Sequence, residues 1–266
     1  MINQLLKPAL ELLPENNRLE RIWVLAKTDF LKRYYGSFLG LLWAMINPLT
    51  QLAIYYFVFS RVFENKQGNL ALFLFLGLVI YTFFAETTTF GLHIVQSKRY
   101  ILENLQINWL DIYYAATLST FFAFLFNFLT YFVASLFFDI EFHAHSSLFP
   151  LLMLNLLVFG FAVQLILSIV QIFIRDIVHV WDLTKMMILW LSGIFFEIDL
   201  SPDSKSAVLA YLTPLAGIAF NAKETLIYGK PLDWTLFTYD WIYTLFLLAV
   251  ALAFYARMSR KALEKI

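Results

Sequence analysis

The stretch RLERIWVLAKTDFLKRYYGSFLGLLWAMINPLTQLAIYYFVFSRVF, residues 18–63, decides the fold, because in it a charged amphipathic segment runs directly into a long apolar one. In its first part Leu19, Ile22, Trp23, Ala26, Phe30 and Tyr34 recur every three or four residues, and Arg18, Glu20, Arg21, Lys27, Asp29, Lys32 and Arg33 fill the rest. That period predicts a helix lying in the membrane interface with its basic side toward water and lipid headgroups. Residues 38–60 then carry no charge. A helix of this length, rising about 1.5 Å per residue, crosses a hydrocarbon core of about 30 Å.

The remainder of the chain has the same character. Of 266 residues, 61% are hydrophobic and 29 are Phe, whereas a soluble globule is closer to half apolar. The composition therefore predicts a polytopic membrane protein. Nineteen basic residues cancel nineteen acidic ones, so net charge points to no nucleic acid and to no acidic partner, and only the placement of charge informs. Cys is absent, which excludes disulfides and thiolate metal sites on this chain. Residues 1–17 contain Pro8, Pro14 and Asn16-Asn17 and no apolar core of signal-peptide length, and are expected to form a cytosolic lead-in.

Taken in order, the expected elements are an amphipathic interface helix at 18–36 and a transmembrane domain at 37–258, followed by a cytosolic tail at 259–266. Six spans are expected at about 37–61, 70–95, 109–138, 147–174, 178–198 and 238–257. The fifth is the least apolar, with Asp182, Lys185 and Glu197 near its ends, as suits a span facing protein or water. Residues 203–230 are apolar in parts but hold Pro214, Gly217, Lys223 and Glu224. They are expected to form two short helices, broken at Pro214, that dip into the membrane from outside as a re-entrant hairpin. The fold class expected is all-α. Of the nineteen Lys and Arg, only Arg61, Lys66, Lys205, Lys223 and Lys230 fall on segments placed outside. That bias puts both termini in the cytosol and favours an even number of spans. With no clear internal repeat, inverted-repeat secondary transporters gain no support.

Several polar residues stand out inside this frame. Glu86 lies near the middle of the second span, where a charge costs about 3 kcal/mol on insertion scales and must find a partner or a proton. Beside Thr87, Thr88 and Thr89 it reads better as a satisfied structural carboxylate than as a proton relay. His143 and His145, in an external turn, make a weak metal pair, and no metal site is expected. In the first span Asn47, Gln51, Tyr55 and Phe59 follow one another every four residues and fall near one helical face. Two amides, a phenol and a ring would let sugar hydroxyls exchange partners while sugar faces slide over aromatic ones. Alternatively, Asn47 and Gln51 satisfy backbone freed by Pro48. No phosphate-cradling GxxxxGK occurs, so ATP cannot be held here by a P-loop. If transport is driven by ATP, a loop must receive the work of another polypeptide. The segment around Leu102, Glu103, Leu105 and Ile107 is short, helix-compatible and partly apolar, as docking requires.

The string KRYYGSFLGLLWAMINPL resembles the signature of ABC-2 type exporter permeases, the branch that moves lipid-linked O-antigen, capsular polysaccharide or teichoic acid. It supplies Arg33-Tyr34, Ser37, Leu39-Gly40, Trp43 and Pro48 in the family's order. The resemblance implies a permease in the cytoplasmic membrane that catalyses no chemistry itself, working as a homodimer with two copies of an ATP-binding cassette ATPase. It implies no cofactor on this chain, with ATP and Mg on the partner subunit. It further implies that Arg33 and Tyr34 lie where the lipid-linked polysaccharide is gathered from among the membrane lipids of the inner leaflet, a guanidinium suiting pyrophosphate, and that the first span lines the channel with the fifth. The first cytosolic loop would touch the ATPase. Two other classes compete: a membrane-embedded lipid-glycan transferase, which needs clustered His or Asp at one interface that the sequence lacks, and an ATP-independent channel or secondary transporter.

Overall fold

The computed structural model describes residues 17–34, 39–64, 69–98, 108–137, 144–201 and 203–263. Among them every regular element is helical and no strand occurs. In chain order the α-helices are α1 (Arg18–Tyr34), α2 (Trp43–Phe57), α3 (Leu70–Ser97), α4 (Trp109–Ser135), α5 (Phe149–Phe173), α6 (Ile177–Leu191), α7 (Ala207–Ala210), α8 (Pro214–Leu226) and α9 (Trp234–Leu263). The loop carrying Leu102, Glu103, Leu105 and Ile107, and the turn carrying His143, lie outside the described residues.

Four helices are long and apolar enough to cross a membrane: α3, α4, α5 with its leading turn, and α9. The segments expected as first and fifth spans are shorter as α-helices, 15 residues each in α2 and α6. Glycine and backbone geometry account for both. Ahead of α2, Gly40 takes a positive φ of 48° and opens a single 3-10 turn, while beyond α2 the chain widens into a five-residue π turn, Val58–Val62. Helix α6 stops because Gly193, at φ 64°, takes the left-handed conformation that closes helices at little cost only for glycine. The chain from 192 to 198 is therefore a turn, where the sequence pattern alone extends the fifth span.

Helix α3 is the hub. Seventy-two per cent of its most apolar window is buried, against 22% for α9, which places α3 at the centre and α9 on the flank. It packs on α2, α4, α5, α6 and α8, while α1 lies along α4 and α9 along α5. Aromatic rings fill the seams: Phe84 stacks on Phe159 at 5.1 Å, and Phe128 on Phe149 at 4.5 Å.

Buried polar side chains pair across the helices: Thr87 with Thr120 at 2.8 Å, Tyr113 with Ser168 at 2.6 Å, Thr117 with Gln164 at 3.0 Å and Thr244 with Asn155 at 2.7 Å. In a lipid-facing bundle such bonds contribute roughly 0.6 kcal/mol each and mainly fix which faces meet.

The expected break at Pro214 is where α8 begins, with the proline in its first turn, where its missing N–H costs nothing. Helix α8 is buried along most of its length against α3, α5 and α9.

Close approach of α3 and α5 depends on Gly91, where an added Cβ would lie 2.3 Å from Gln164 Cγ and 3.0 Å from its backbone oxygen. At Gly160 the nearest atom would be 3.5 Å away, an ordinary contact. Gly91→Ala is expected to destabilise by about 1–3 kcal/mol through overpacking, while Gly160→Ala is neutral or stabilising through helix propensity. Thermal unfolding in detergent checks this; equal midpoints for the two variants would contradict the packing described.

Candidate functional site

Helix α1 is bound to the bundle by charge. Arg18 Nε and Arg21 Nη2 both meet Asp111, at 2.5 and 2.7 Å, and Asp111 is fully buried at the start of α4. One helical turn short of its end, Asp29 pairs with Lys98, just past the end of α3. At that end Arg33 Nη1 meets Glu86 Oε2 at 3.0 Å, and its guanidinium lies 4.8 Å from the centre of the Phe90 ring. The carboxylate that stood alone in the sequence thus has a cation supplied from 53 residues upstream.

Around this last pair the helices leave two adjoining cavities that share Gln51, Thr82 and Glu86. One, of about 400 Å³, is walled by Trp43, Asn47, Pro48 and Thr50 of α2. The other, of about 450 Å³, adds Arg33, Tyr81, Thr89, His93 and, from α6, Lys185. Lys185 is held in place: its Nζ donates to Thr89 Oγ1 at 2.7 Å and pairs with Asp182 at 2.9 Å, and its carbonyl accepts from Tyr81 at 3.1 Å. Lys185 and His93 thus line the same cavity as the Arg33–Glu86 pair, and Glu86 is the one carboxylate among its lining residues. Such a lining suits an anionic or polyhydroxylated ligand, with guanidinium and ammonium for phosphate oxygens and amides for hydroxyls.

Near the end of α2 and in the π turn after it, Tyr55 and Phe59 both meet Phe195, with ring centres 4.7 and 5.3 Å apart, and Trp190 of α6 approaches Phe195 at 4.7 Å. Phe195 sits in the turn that Gly193 makes possible. Asn47, Thr50 and Gln51 are exposed in the single chain although their helix is otherwise apolar, as are Leu49, Ile54 and Phe57 on α2 and Leu183, Met186 and Met187 on α6. Amides placed against hydrocarbon would be costly, so this flank is built to face protein or water.

Of the residues singled out from sequence, Arg33, Asn47 and Gln51 line the cavities, and Tyr55 and Phe59 form the aromatic cluster beyond them. Tyr34 closes α1, its side chain outside the described residues. Sequence reasoning missed Tyr81, His93, Lys185 and Phe195, and it missed Asp111. The signal for the Arg33–Glu86 pair was available, since a lone carboxylate in a span demands a cation. Among the described residues no group of three or more His, Asp or Glu is placed to hold a metal.

Among the described residues the bundle is all-helical, with four helices long and apolar enough to cross a membrane and a polar cavity beside an aromatic cluster, the architecture of a polytopic membrane protein. A family model, the ABC-2 type transporter, matches residues 20–219, and the chain belongs to that family. The chain is similar to an O-antigen export system permease protein RfbA of Klebsiella pneumoniae, 25% identical over 221 residues that cover 77% of this chain and 80% of that one. It is also similar to a protein of the same name from Myxococcus xanthus, 22% identical over 197 residues that cover 73% of this chain and 75% of the other.

The Arg33–Glu86 pair is expected to show energetic coupling of about 1–3 kcal/mol in a double-mutant cycle of Arg33→Leu and Glu86→Leu. Each single change leaves the partner charge without its counter-ion, and the double change costs less than the sum. Strictly additive losses in thermal stability would mean that the contact contributes nothing.

Proposed function

We propose that the chain is the permease subunit of an ATP-driven exporter that moves a lipid-linked polysaccharide across the cytoplasmic membrane. The observation that carries this reading is the pair of adjoining cavities, one lined by Arg33, Lys185 and His93 and the other by Asn47, both sharing Gln51, with the Tyr55, Phe59 and Phe195 cluster further along the chain from them. A lipid-linked glycan needs a cationic place for its phosphate groups and then a wall that exchanges hydrogen bonds without holding tightly. Arg33 and Tyr34 would receive the substrate, and Asn47, Gln51, Tyr55 and Phe59 would pass it on. The names of the relatives from Klebsiella pneumoniae and Myxococcus xanthus support the polysaccharide as cargo.

In this reading α2 with its flanking turns and α6 complete a set of six spans. Helix α1 lies in the cytosolic interface, α7 and α8 form the re-entrant hairpin from outside, and both termini are cytosolic. Two copies of the chain would meet through the exposed flank of α2 and α6, which joins apolar surface to polar groups that lipid would not accept. Hydrolysis of ATP would belong to a separate ATPase, two copies per complex, docked on the loop carrying Leu102, Glu103, Leu105 and Ile107. The charge pairs support that coupling: Lys98 and Asp111 flank the loop on either side, and both are tied to α1, which ends at Arg33 beside the cavity.

Gln51→Leu with Tyr55→Ala is expected to lower polysaccharide export at least tenfold while leaving the amount of folded protein and co-purification with the ATPase unchanged. Export and co-purification are measured in cells carrying both subunits. Full export by the double variant would place the route elsewhere.

A further inference from the structure

Beyond the aromatic cluster lies a separate cavity of about 430 Å³, formed where the turn after α6 meets α8 and the chain following it. We propose that this cavity is a second sugar-binding subsite, taking neutral sugar units of the polymer after they pass Phe195. The proposal rests on the permease reading above and adds a site that is separate from the Gln51 cavities and the Phe195 cluster.

The wall is built from both ends. Lys223, buried on α8, donates from Nζ to the carbonyls of Gly193 at 2.6 Å and Ile194 at 3.3 Å, and the same Nζ lies 3.4 Å from the centre of the Phe73 ring. A lysine thus closes the end of α6 and fixes the turn whose next residues face opposite ways: Phe195 against Tyr55 and Phe59, Phe196 into the cavity. Tyr228 is fastened to Glu197 through its hydroxyl, and Glu224 meets Lys230 at 2.9 Å. Asp199 accepts from the backbone N–H and the hydroxyl of Ser201 at 2.9 and 2.8 Å, bonds that hold its carboxyl below the ordinary carboxylate range.

The chemistry of this lining selects its ligand. Three carboxylates, Glu197, Asp199 and Glu224, stand against Lys223 and Lys230, a balance that disfavours phosphate, and Glu224 is already paired with Lys230 and Glu197 bonded to Tyr228. Among the described residues no trio of carboxylates or histidines is placed to bind a metal. Phe196, Phe220 and Tyr228 supply ring faces, and each carboxylate can accept several hydrogen bonds, so vicinal hydroxyls and the apolar face of a sugar ring both find partners. The volume falls within the range usual for small-molecule sites. Position completes the case, since a single turn joins the cavity to the aromatic cluster.

Because the chain has no native Cys, a cysteine at Leu200, on the cavity wall, reports occupancy directly. The Leu200→Cys protein, complexed with its ATPase in lipid nanodiscs, is labelled with a water-soluble maleimide. The probe is lipid-free polysaccharide released by mild acid from the surface of the cells that carry this chain. Labelling is expected to slow at least threefold in its presence, and inorganic phosphate or calcium chloride at the same concentration is expected to have no effect. Phe196→Ala and, separately, the isosteric Glu224→Gln are each expected to remove the protection. Unchanged labelling with the polysaccharide, protection by phosphate or calcium, or protection surviving both substitutions would overturn the proposal. Failure of the permease reading itself is visible independently, as absence of export by the unsubstituted chain with its ATPase.

Discussion

The buried carboxylate of Asp111, shared by Arg18 and Arg21, is the interaction on which the arrangement of the bundle depends. An ionised group in a dry interior is tolerated only when paired and hydrogen-bonded, and removing one partner of such a group typically costs about 3–5 kcal/mol. That penalty makes α1 part of the bundle instead of an amphipathic helix held only by lipid. It also sets the register of α1 along α4, because two cations one helical turn apart must both reach a single residue. With Asp111 satisfied, Asp29 falls beside Lys98 and Arg33 beside Glu86. Phe30 is brought into contact with Phe122 and Phe126 of α4, at 5.9 Å in each case.

Seen from α1, the proposed transport cycle has a mechanical basis. The loop between α3 and α4 is anchored on one side by Lys98 and on the other by Asp111, and both anchors grip the same helix. A displacement of either loop end has to move α1, stretch an ion pair, or both. Since α1 ends at Arg33, beside the cavity, both ends of the loop that would receive the ATPase are tied by ion pairs to the helix that would receive the substrate. Longer reach would come from α3, which carries Glu86 at the cavity and packs on five other helices.

Much of this was legible in the sequence, and the legible parts have a common cause. Long apolar runs bounded by charge announce α3, α4, α5 and α9, since a bilayer imposes a minimum length that composition alone can meet. The three-to-four-residue period of residues 18–34 announces α1, and Pro214 marks the start of α8. The four-residue spacing of Asn47, Gln51, Tyr55 and Phe59 reads as one helical face; in the structure Asn47 and Gln51 line a cavity, and Tyr55 and, in the π turn after α2, Phe59 meet Phe195. What the sequence hid was long-range pairing. Asp111 sits at the first turn of an apolar helix and reads as an ordinary helix-start acid, and Lys185 reads as a polar end to a span. Only the fold reveals that each faces a partner 90 or more residues away. The turn at Gly193 was hidden for another reason: the chain stays apolar through Ile194, Phe195 and Phe196, so hydropathy carries no trace of a glycine taking a left-handed conformation.

The claim that α1 is held to the bundle by Asp111 is tested most directly by hydrogen–deuterium exchange on the full chain in nanodiscs. The amides of α1 are expected to be protected to the same degree as the first turns of α4, and Asp111→Ala is expected to release that protection along α1 while leaving α5 and α9 unchanged. Rapid exchange throughout α1 in the unsubstituted protein, or protection of α1 that persists in Asp111→Ala, would contradict it.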